Sequence, residues 1–290
     1  MDYATLLLLT QDSSHQADVA DTALRIASDA NAHLTALRVH VPSYQAYVAA
    51  GTYPVAPSAE AIEHEKLEAA QHADRLKTAF VEQAHRVEFQ NFEWRYHAGE
   101  MADGSVADIA ALHARYADLV ILGQHDPQER DSQISADTPA VIATASARPV
   151  LILPYGRCPD TLGQHIVLAW NATREATHAI TAALPFLKRA ALVEILIVDE
   201  GEARTHRIYG DEPGADIALF AARHGIRVSV TQLDGRGLSV AEVLLSKIAD
   251  SGADLLVMGA YGHSRLRELV FGGVTYELMR HMTVPTLIAS

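Results

Sequence analysis

The run Ala117-Asp-Leu-Val-Ile-Leu-Gly123 recurs further along the chain as Ala253-Asp-Leu-Leu-Val-Met-Gly259. At the same spacing, Arg148-Pro-Val-Leu-Ile-Leu falls on Val284-Pro-Thr-Leu-Ile-Ala without a gap. Short, continuous apolar runs of this kind are typical of strands that are buried on both faces of a parallel sheet. The sequence therefore contains an internal repeat, and each copy carries at least these two strands.

The front of the repeat matches at a wider spacing. Leu8-Leu-Thr-Gln-Asp12 falls on Val167-Leu-Ala-Trp-Asn171, and Val39 falls on Val198 at that same wider spacing. The difference between the two spacings places an insertion after Val39 in the first copy. Residues 42–58 are rich in Pro, Ala, Tyr and Ser, and they predict a long loop that leads into an extended helix. The insertion is interpreted either as a tolerated surface loop or as a cover for a site.

Each copy alternates apolar strands with helical patterns. In the second copy the strands are expected near Ile166–Trp170, Val193–Val198, Arg227–Leu233, Asp254–Gly259 and Pro285–Ala289. With right-handed crossovers, this order predicts an α/β fold with two doubly wound, five-stranded, parallel-sheet domains of Rossmann-like form in tandem. We expect the domains at residues 1–155 and 164–290, separated by an aperiodic stretch with glycine and proline. The last strand of each domain is expected at a sheet edge, free to pair across domains or chains.

Charge and composition exclude several classes of partner. The chain has 36 acidic and 23 basic side chains, and this balance repels nucleic acid and anionic membrane surfaces. The single cysteine, Cys158, cannot form a disulfide within the chain. No apolar stretch reaches the roughly 20 residues needed to span a bilayer. The first ten residues carry no basic group before their apolar run. A cytoplasmic location is therefore expected.

A glycine pattern follows the fourth strand of the second copy. Gly259-Ala-Tyr-Gly262 is followed by nine residues and then by Gly272-Gly273, which open a short helix. In doubly wound sheets ligands bind outside the carboxyl ends of the strands, and the start of a helix offers free amides to a phosphate. The pattern favours a phosphate cradle, and the alternative is that the glycines serve only a tight turn and a helix start.

This pattern resembles the ATP-binding signature of the universal stress protein family, whose order of strands and helices both copies resemble over nearly the whole chain. The resemblance implies an adenine nucleotide alpha hydrolase-like fold and ATP as the ligand, with or without Mg²⁺. It also implies that the two halves pack within one chain as the family's usual dimer does. A homodimer of the whole chain is left open.

The resemblance implies a site made from the ends of the first, second and fourth strands of the second copy and from the start of the last helix. Asn171 stands where the family often has Asp, and Gly273 stands where ATP-binding members usually have Ser or Thr. Losing that hydroxyl donor costs roughly 1–2 kcal/mol of binding free energy. The implied nucleotide-binding residues are Ala169, Trp170, Asn171, Val198, Met258, Gly259, Tyr261, Gly262, Gly272, Gly273 and Val274.

The first copy departs further from the signature. At the spacing that places Gly123 on Gly259, Asp126 takes the place of Gly262, Ala136 that of Gly272 and Asp137 that of Gly273. Two carboxylates would then face the phosphates. We expect that the first domain does not bind ATP in the family's manner.

No catalytic or metal site is predicted. The 15 histidines show no HxxxH or HExxH spacing, and no Ser/His/Asp order, paired acids or activated cysteine can be defended. The resulting hypothesis is an ATP-binding regulatory module of the stress response. The alternatives are a nucleotide-free interaction protein with two vestigial sites and a slow ATPase.

Overall fold

The protein consists of two α/β halves. In this computed structural model, residues 3–42, 58–99, 103–129, 133–155, 161–199, 212–235, 237–260 and 273–290 are described. The first half contains β1 Thr5–Thr10, α1 Gln16–Ala30, β2 His33–His40, α2 Ala59–Arg86, β3 Phe92–Ala98, α3 Val106–Ala114, β4 Leu119–Gly123, α4 Thr138–Ser146 and β5 Val150–Leu153. The second half contains β6 His165–Ala169, α5 Arg174–Ala182, α6 Leu184–Leu187, β7 Leu192–Asp199, α7 Ala215–Arg223, β8 Val228–Asp234, α8 Val240–Ser251, β9 Leu255–Gly259, α9 Gly273–His281 and β10 Thr286–Ala289.

The ten described strands form one sheet in the order β3-β2-β1-β4-β5-β10-β9-β6-β7-β8. Strands within each half run parallel, in the doubly wound order that the repeat predicts. The halves meet where β5 and β10 pair antiparallel, with Leu151 opposite Leu287. The fold class is thus confirmed, and the two last strands pair with each other inside the chain.

The apolar strands are buried on both faces of this sheet. In β1, Leu6 and Leu8 belong to the same core as Leu24 of α1, whereas Leu7 and Leu9 belong to the opposite core with Ile109 of α3. All six side chains are buried. A strand covered on both faces has no solvent side, and this explains why its sequence is continuously apolar and does not alternate.

The two halves differ most between their second and third strands. Helix α2 has 28 residues, whereas α7, at the equivalent place in the second half, has 9. Most of the inserted length is therefore helix, and the predicted loop, except for its ends, lies outside the described residues. None of the helices in the described ranges is long and apolar enough to cross a membrane.

Matching helix starts explain part of the repeat. Ser105 before α3 accepts a hydrogen bond from the backbone of Asp108, and the carboxylate of Asp108 accepts one from the backbone of Ser105. Ser239 and Glu242 form the same capping box at α8. Each box satisfies backbone donors that the first turn of a helix leaves without partners. The similar sequences Ser-Val-Ala-Asp and Ser-Val-Ala-Glu therefore start equivalent helices.

Candidate functional site

The candidate site lies where the strand order of the second half reverses. Strand β6 is flanked by β9 on one side and β7 on the other, and the carboxyl ends of the three strands meet at one edge of the sheet. Ala169 ends β6, Gly259 ends β9, and Val198 is the last but one residue of β7. All three are half-buried. The structure therefore brings these predicted site residues together at the topological switch point.

A tight turn connects β6 to α5 at this edge. The exposed Asn171 accepts hydrogen bonds at Oδ1 from Oγ1 of Thr173 at 2.8 Å and from its backbone N at 3.3 Å. Ala172 between them has a left-handed φ of 56°, and Oγ1 of Thr173 then accepts from the backbone N of Ala176 in α5. Asn171 therefore shapes the turn that leads into α5, in addition to any role toward a ligand.

The neighbouring Trp170 is half-buried. Its backbone N donates to the carbonyl of Leu196 in β7 at 2.9 Å, and its side chain packs against the sheet core. Trp170 thus holds the end of β6 against β7.

Gly259 has a packing role that the glycine pattern did not reveal. A Cβ atom at this position would lie 2.6 Å from the backbone N of Ala176 and 2.7 Å from the carbonyl carbon of Glu175. Both atoms belong to the backbone of α5, so neither can move aside cheaply. The missing side chain lets the first turn of α5 sit directly on β9, and close approach to a ligand stays a prediction.

That first turn carries a charged pair that the sequence patterns did not reveal. Arg174 is 80% exposed at its side chain and lies 3.0 Å from Oε1 of Glu175, which is buried. Burial raises the pKa of Glu175, but hydrogen bonds from its own backbone and from Arg174 outweigh this effect and hold the pKa below its usual range. Arg174 therefore adds an exposed cation to this edge, and the signal for it was the cap sequence Thr173-Arg-Glu175.

Other predicted site residues contribute less through their side chains. Met258 is 5% exposed and belongs to the core beneath the edge, so its backbone alone can face a ligand. Gly273 is the first residue of α9, and Val274 is half-buried against the same core. Tyr261, Gly262 and Gly272 lie outside the described residues.

A model of the Universal stress protein family matches residues 2–154 and 163–290. The chain belongs to this family. It carries two universal stress protein domains in tandem, as the resemblance of both copies implied.

Solved structures share the fold of this universal stress protein over its whole length. A universal stress protein from Archaeoglobus fulgidus DSM 4304 superposes with a TM-score of 0.73 at 16% identity, covering 99% of this chain and 98% of the other. A putative universal stress protein from Pseudomonas aeruginosa UCBPP-PA14 gives a TM-score of 0.60 at 13% identity, covering 99% and 93% of the two chains.

A sequence relative supports the same assignment. A curated universal stress protein from Synechocystis is 28% identical in a match that covers 33% of this chain. The match spans 42% of that relative's own length.

At the equivalent edge of the first universal stress protein domain, residues at the strand ends contact other side chains of the protein. Gln11, at the position of Trp170, is 3% exposed. The carboxylate of Asp12, at the position of Asn171, contacts the buried Arg38 of β2 through one oxygen and His72 of α2 through the other. The long helix of the insertion therefore reaches back to the end of β1.

Helix α2 also meets the end of β2. Nε2 of His40 lies 3.9 Å from Oε1 of Glu65. Burial lowers the pKa of His40, against the opposing effect of Glu65. Between α2 and the strand ends is an open cavity of about 450 Å³, and its walls are mainly charged. They consist of Asp12, Arg38, His40, Glu65, Glu68, Ala69, Gln71, His72 and Arg75.

The segment after β4 adds further internal contacts in the first half. Oε1 of Glu129 accepts hydrogen bonds from the backbone N of Ser14 at 2.8 Å and from its Oγ at 3.1 Å. The side-chain amide of Gln133 bonds both the N and the O of Val41. The side chains of Glu129 and Gln133 thus form hydrogen bonds with backbone groups next to this edge. Glu129 also places a negative charge just before α1.

Among the residues that the structure describes, no group of three or more His, Cys, Asp or Glu side chains is arranged to hold a metal ion. The contact of Asp12 with His72 joins the carboxyl end of β1 to α2.

Proposed function

We propose that this universal stress protein binds an adenine nucleotide, ATP with or without Mg²⁺, in its second half and acts as a regulatory module of the stress response. The contrast between the two equivalent edges carries the proposal. In the second half, Ala169, Val198 and Gly259 are partly exposed at the strand ends. In the first half, Gln11 is buried and Asp12 is engaged by α2.

The chemistry of the second edge suits a phosphate. Gly273 starts α9, and the first turn of a helix has free amides and the positive end of the helix dipole. Arg174 brings an exposed guanidinium to the start of α5. Such groups attract a small anion locally even though the formal charge of the chain is −13. The predicted contacts of Val198 and Gly259 would place the base and ribose beside them.

The same reasoning supports a first half without a nucleotide. Asp137, at the position of Gly273, is the cap residue of α4, so a carboxylate already stands at this helix start. Glu129 lies on the backbone of Ser14 before α1. Both carboxylates would repel a phosphate. We take residues 1–155 and 164–290 as the two domains and place the protein in the cytoplasm, where ATP is available.

Calorimetric titration of the full chain with Mg-ATP tests the proposal. We expect one site per chain. Gly262→Asp, which copies Asp126, should abolish binding. Gly262→Asn, which has nearly the same volume without the charge, should retain part of it, because repulsion of the phosphates is then absent.

The alternatives give different results in the same experiment. No binding by the unaltered protein at millimolar ATP would replace the proposal by a nucleotide-free interaction protein. Release of phosphate that disappears in Gly262→Asp would add slow hydrolysis, with a bound cation activating water. Binding that survives Gly262→Asp unchanged would mean that the nucleotide sits elsewhere.

A further inference from the structure

One buried side chain of the first half contacts α9 of the second half. Gln124 directly follows β4 and is 3% exposed. Its Nε2 donates a hydrogen bond of 2.8 Å to the backbone carbonyl of Met279. Met279 lies in the last turn of α9, where carbonyls have no partner within the helix. Gln124 therefore caps the carboxyl end of a helix that belongs to the other half.

Gln124 is held firmly in place for this contact. Its Oε1 accepts from the backbone N of Tyr155 at 3.1 Å, and its own backbone N donates to the carbonyl of Leu153 at 2.7 Å. Tyr155 follows β5, where the chain leaves the first half. The two ends of the side-chain amide thus connect this exit to α9, and the orientation of the amide is fixed by both bonds.

The second half cannot form the equivalent contact, because the residue that corresponds to Gln124 has no side-chain donor. At the spacing that places Gly123 on Gly259, Gln124 corresponds to Ala260, which is fully buried and whose backbone N donates to the carbonyl of Ala289 at 2.7 Å. Alanine has no side-chain donor, so the second half cannot return the bond. The first half, whose strand ends contact α2, therefore holds α9 in place. Helix α9 is the last helix of the second half, which keeps the glycine pattern.

We propose that Gln124 is a positioning residue for the nucleotide site of the second half. This inference rests on the proposed function, because the first turn of α9, from Gly273, is the part that would face the phosphates. With nine residues, α9 is about 13 Å long. A helix of this length is marginal by itself and forms cooperatively. A cap at one end and a ligand at the other therefore stabilise the same ordered helix.

Burial gives α9 a defined place on the sheet. Leu278, Met279 and the following Met282 are at most 5% exposed and belong to one core. A helix packed in this way moves as a unit, so the bond at Met279 also sets the position of Gly273. Because coupling between two sites is reciprocal, a nucleotide at the start of α9 would strengthen the junction with the first half. Occupancy of one domain is thus communicated to the other.

Two substitutions of Gln124 separate its contacts. Gln124→Glu keeps the shape and an acceptor for Tyr155, but it replaces the donor to Met279 by a carboxylate at the negative end of α9. Gln124→Ala copies Ala260 and removes both side-chain bonds. The matched control is Ser290→Ala, because Oγ of Ser290 donates across the junction to the carbonyl of Ala143 in α4 at 3.0 Å.

The experiment measures the Kd for Mg-ATP by calorimetry and the amide hydrogen exchange of residues 273–281, with and without ATP. Both Gln124 variants should bind about five-fold more weakly or worse, and ATP should protect the α9 amides less in them than in the unaltered protein. Ser290→Ala should keep the original Kd even if its denaturation midpoint falls.

Gln124 variants that bind as tightly as Ser290→Ala would overturn the coupling and leave the proposed function standing. A loss of ATP affinity in all three variants that is proportional to their loss of stability would also overturn it. A general loosening of the junction between the halves would then explain the weaker binding. An unaltered protein that binds no nucleotide would overturn both proposals. In that case hydrogen exchange would still show whether Gln124 caps α9.

Discussion

The imidazole of His72, midway along α2, contacts the carboxylate of Asp12 at the carboxyl end of β1. The second half of α2 is held differently, because Phe80 is buried and Nε2 of Gln83 donates to the carbonyl of Ala17 at 2.9 Å and to the carboxylate of Asp21 at 2.8 Å. Beyond His72, the inserted helix is thus anchored by packing and by the hydrogen bonds of the buried Gln83, whereas before His72 it is anchored mainly by more exposed polar contacts. This division makes the first half of α2 the weaker part of the helix.

His72→Ala should loosen residues 59–72 and leave residues 73–86 protected. The variant loses a contact whose two side chains are each about one third exposed, so we expect a loss in stability of about 1 kcal/mol or less. Amide hydrogen exchange of α2 provides the measurement. His64→Ala is the control, because its contact with Glu68 at 3.3 Å lies within the helix. Equal exchange in the two variants would show that Asp12 does not anchor α2.

Gly259→Ala should destabilise the second half. Its new methyl group would lie 2.6 Å from the backbone of α5, and overpacking of this kind costs about 1–3 kcal/mol. Gly235→Ala is a milder comparison, because its closest contact would be the carbonyl of Asp199 at 3.3 Å. Urea denaturation of both variants compares the two costs. An unaltered unfolding midpoint in Gly259→Ala would refute the packing role assigned to this glycine.

The repeat made the fold predictable because buried parallel strands have a distinct sequence. Runs such as Leu6–Leu9 are apolar on both faces, and the gapless match then places β5 and β10 at equivalent positions. The site was less accessible to sequence reasoning. Contacts such as His72 with Asp12 depend on where a long helix returns, and no local pattern specifies this. For the same reason the cap that Gln124 provides to α9 was overlooked.

Glu194 should contribute stability that depends on pH. It is buried in β7, accepts from Oγ1 of Thr231 at 2.5 Å and pairs with Nζ of Lys247 at 2.9 Å. Burial raises the pKa of Glu194, but the bonds from Thr231 and Lys247 outweigh this and hold the pKa below its usual range. A carboxylate with a depressed pKa stabilises the fold above the unfolded value of about 4.3, and this contribution disappears as the pH falls through the folded pKa.

Lys247→Met tests this assignment. Without the ammonium group the buried carboxylate loses a charge-assisted bond, which costs about 1.5–3 kcal/mol at neutral pH. The pKa of Glu194 should rise, so the acid loss of stability should begin at higher pH. Denaturation midpoints between pH 3 and 7 provide the curve, and Glu194→Gln should flatten it in this range. Identical pH profiles for the original protein and Glu194→Gln would refute the role of the carboxylate.

Asn171→Asp should make nucleotide binding more dependent on Mg²⁺. An aspartate can keep the bonds from Oγ1 and N of Thr173, which are 2.8 Å and 3.3 Å long here, so the turn into α5 should survive. The added carboxylate is a better ligand for a phosphate-bound Mg²⁺ than an amide is. Without the cation, it would repel the phosphates. A unit charge at about 4 Å is worth about 1 kcal/mol in water, or about five-fold in Kd.

The two conditions should therefore shift the Kd of Asn171→Asp in opposite directions: tighter with Mg²⁺ and weaker with a chelator. Calorimetry under both conditions measures this. Asp12→Asn makes the reverse exchange at the equivalent position of the first half and serves as the control. It should leave both values unchanged, because Asp12 is engaged by Arg38 and His72. A shift of the same sign under both conditions would place Asn171 away from the phosphates, and a response of Asp12→Asn would place the nucleotide in the first half.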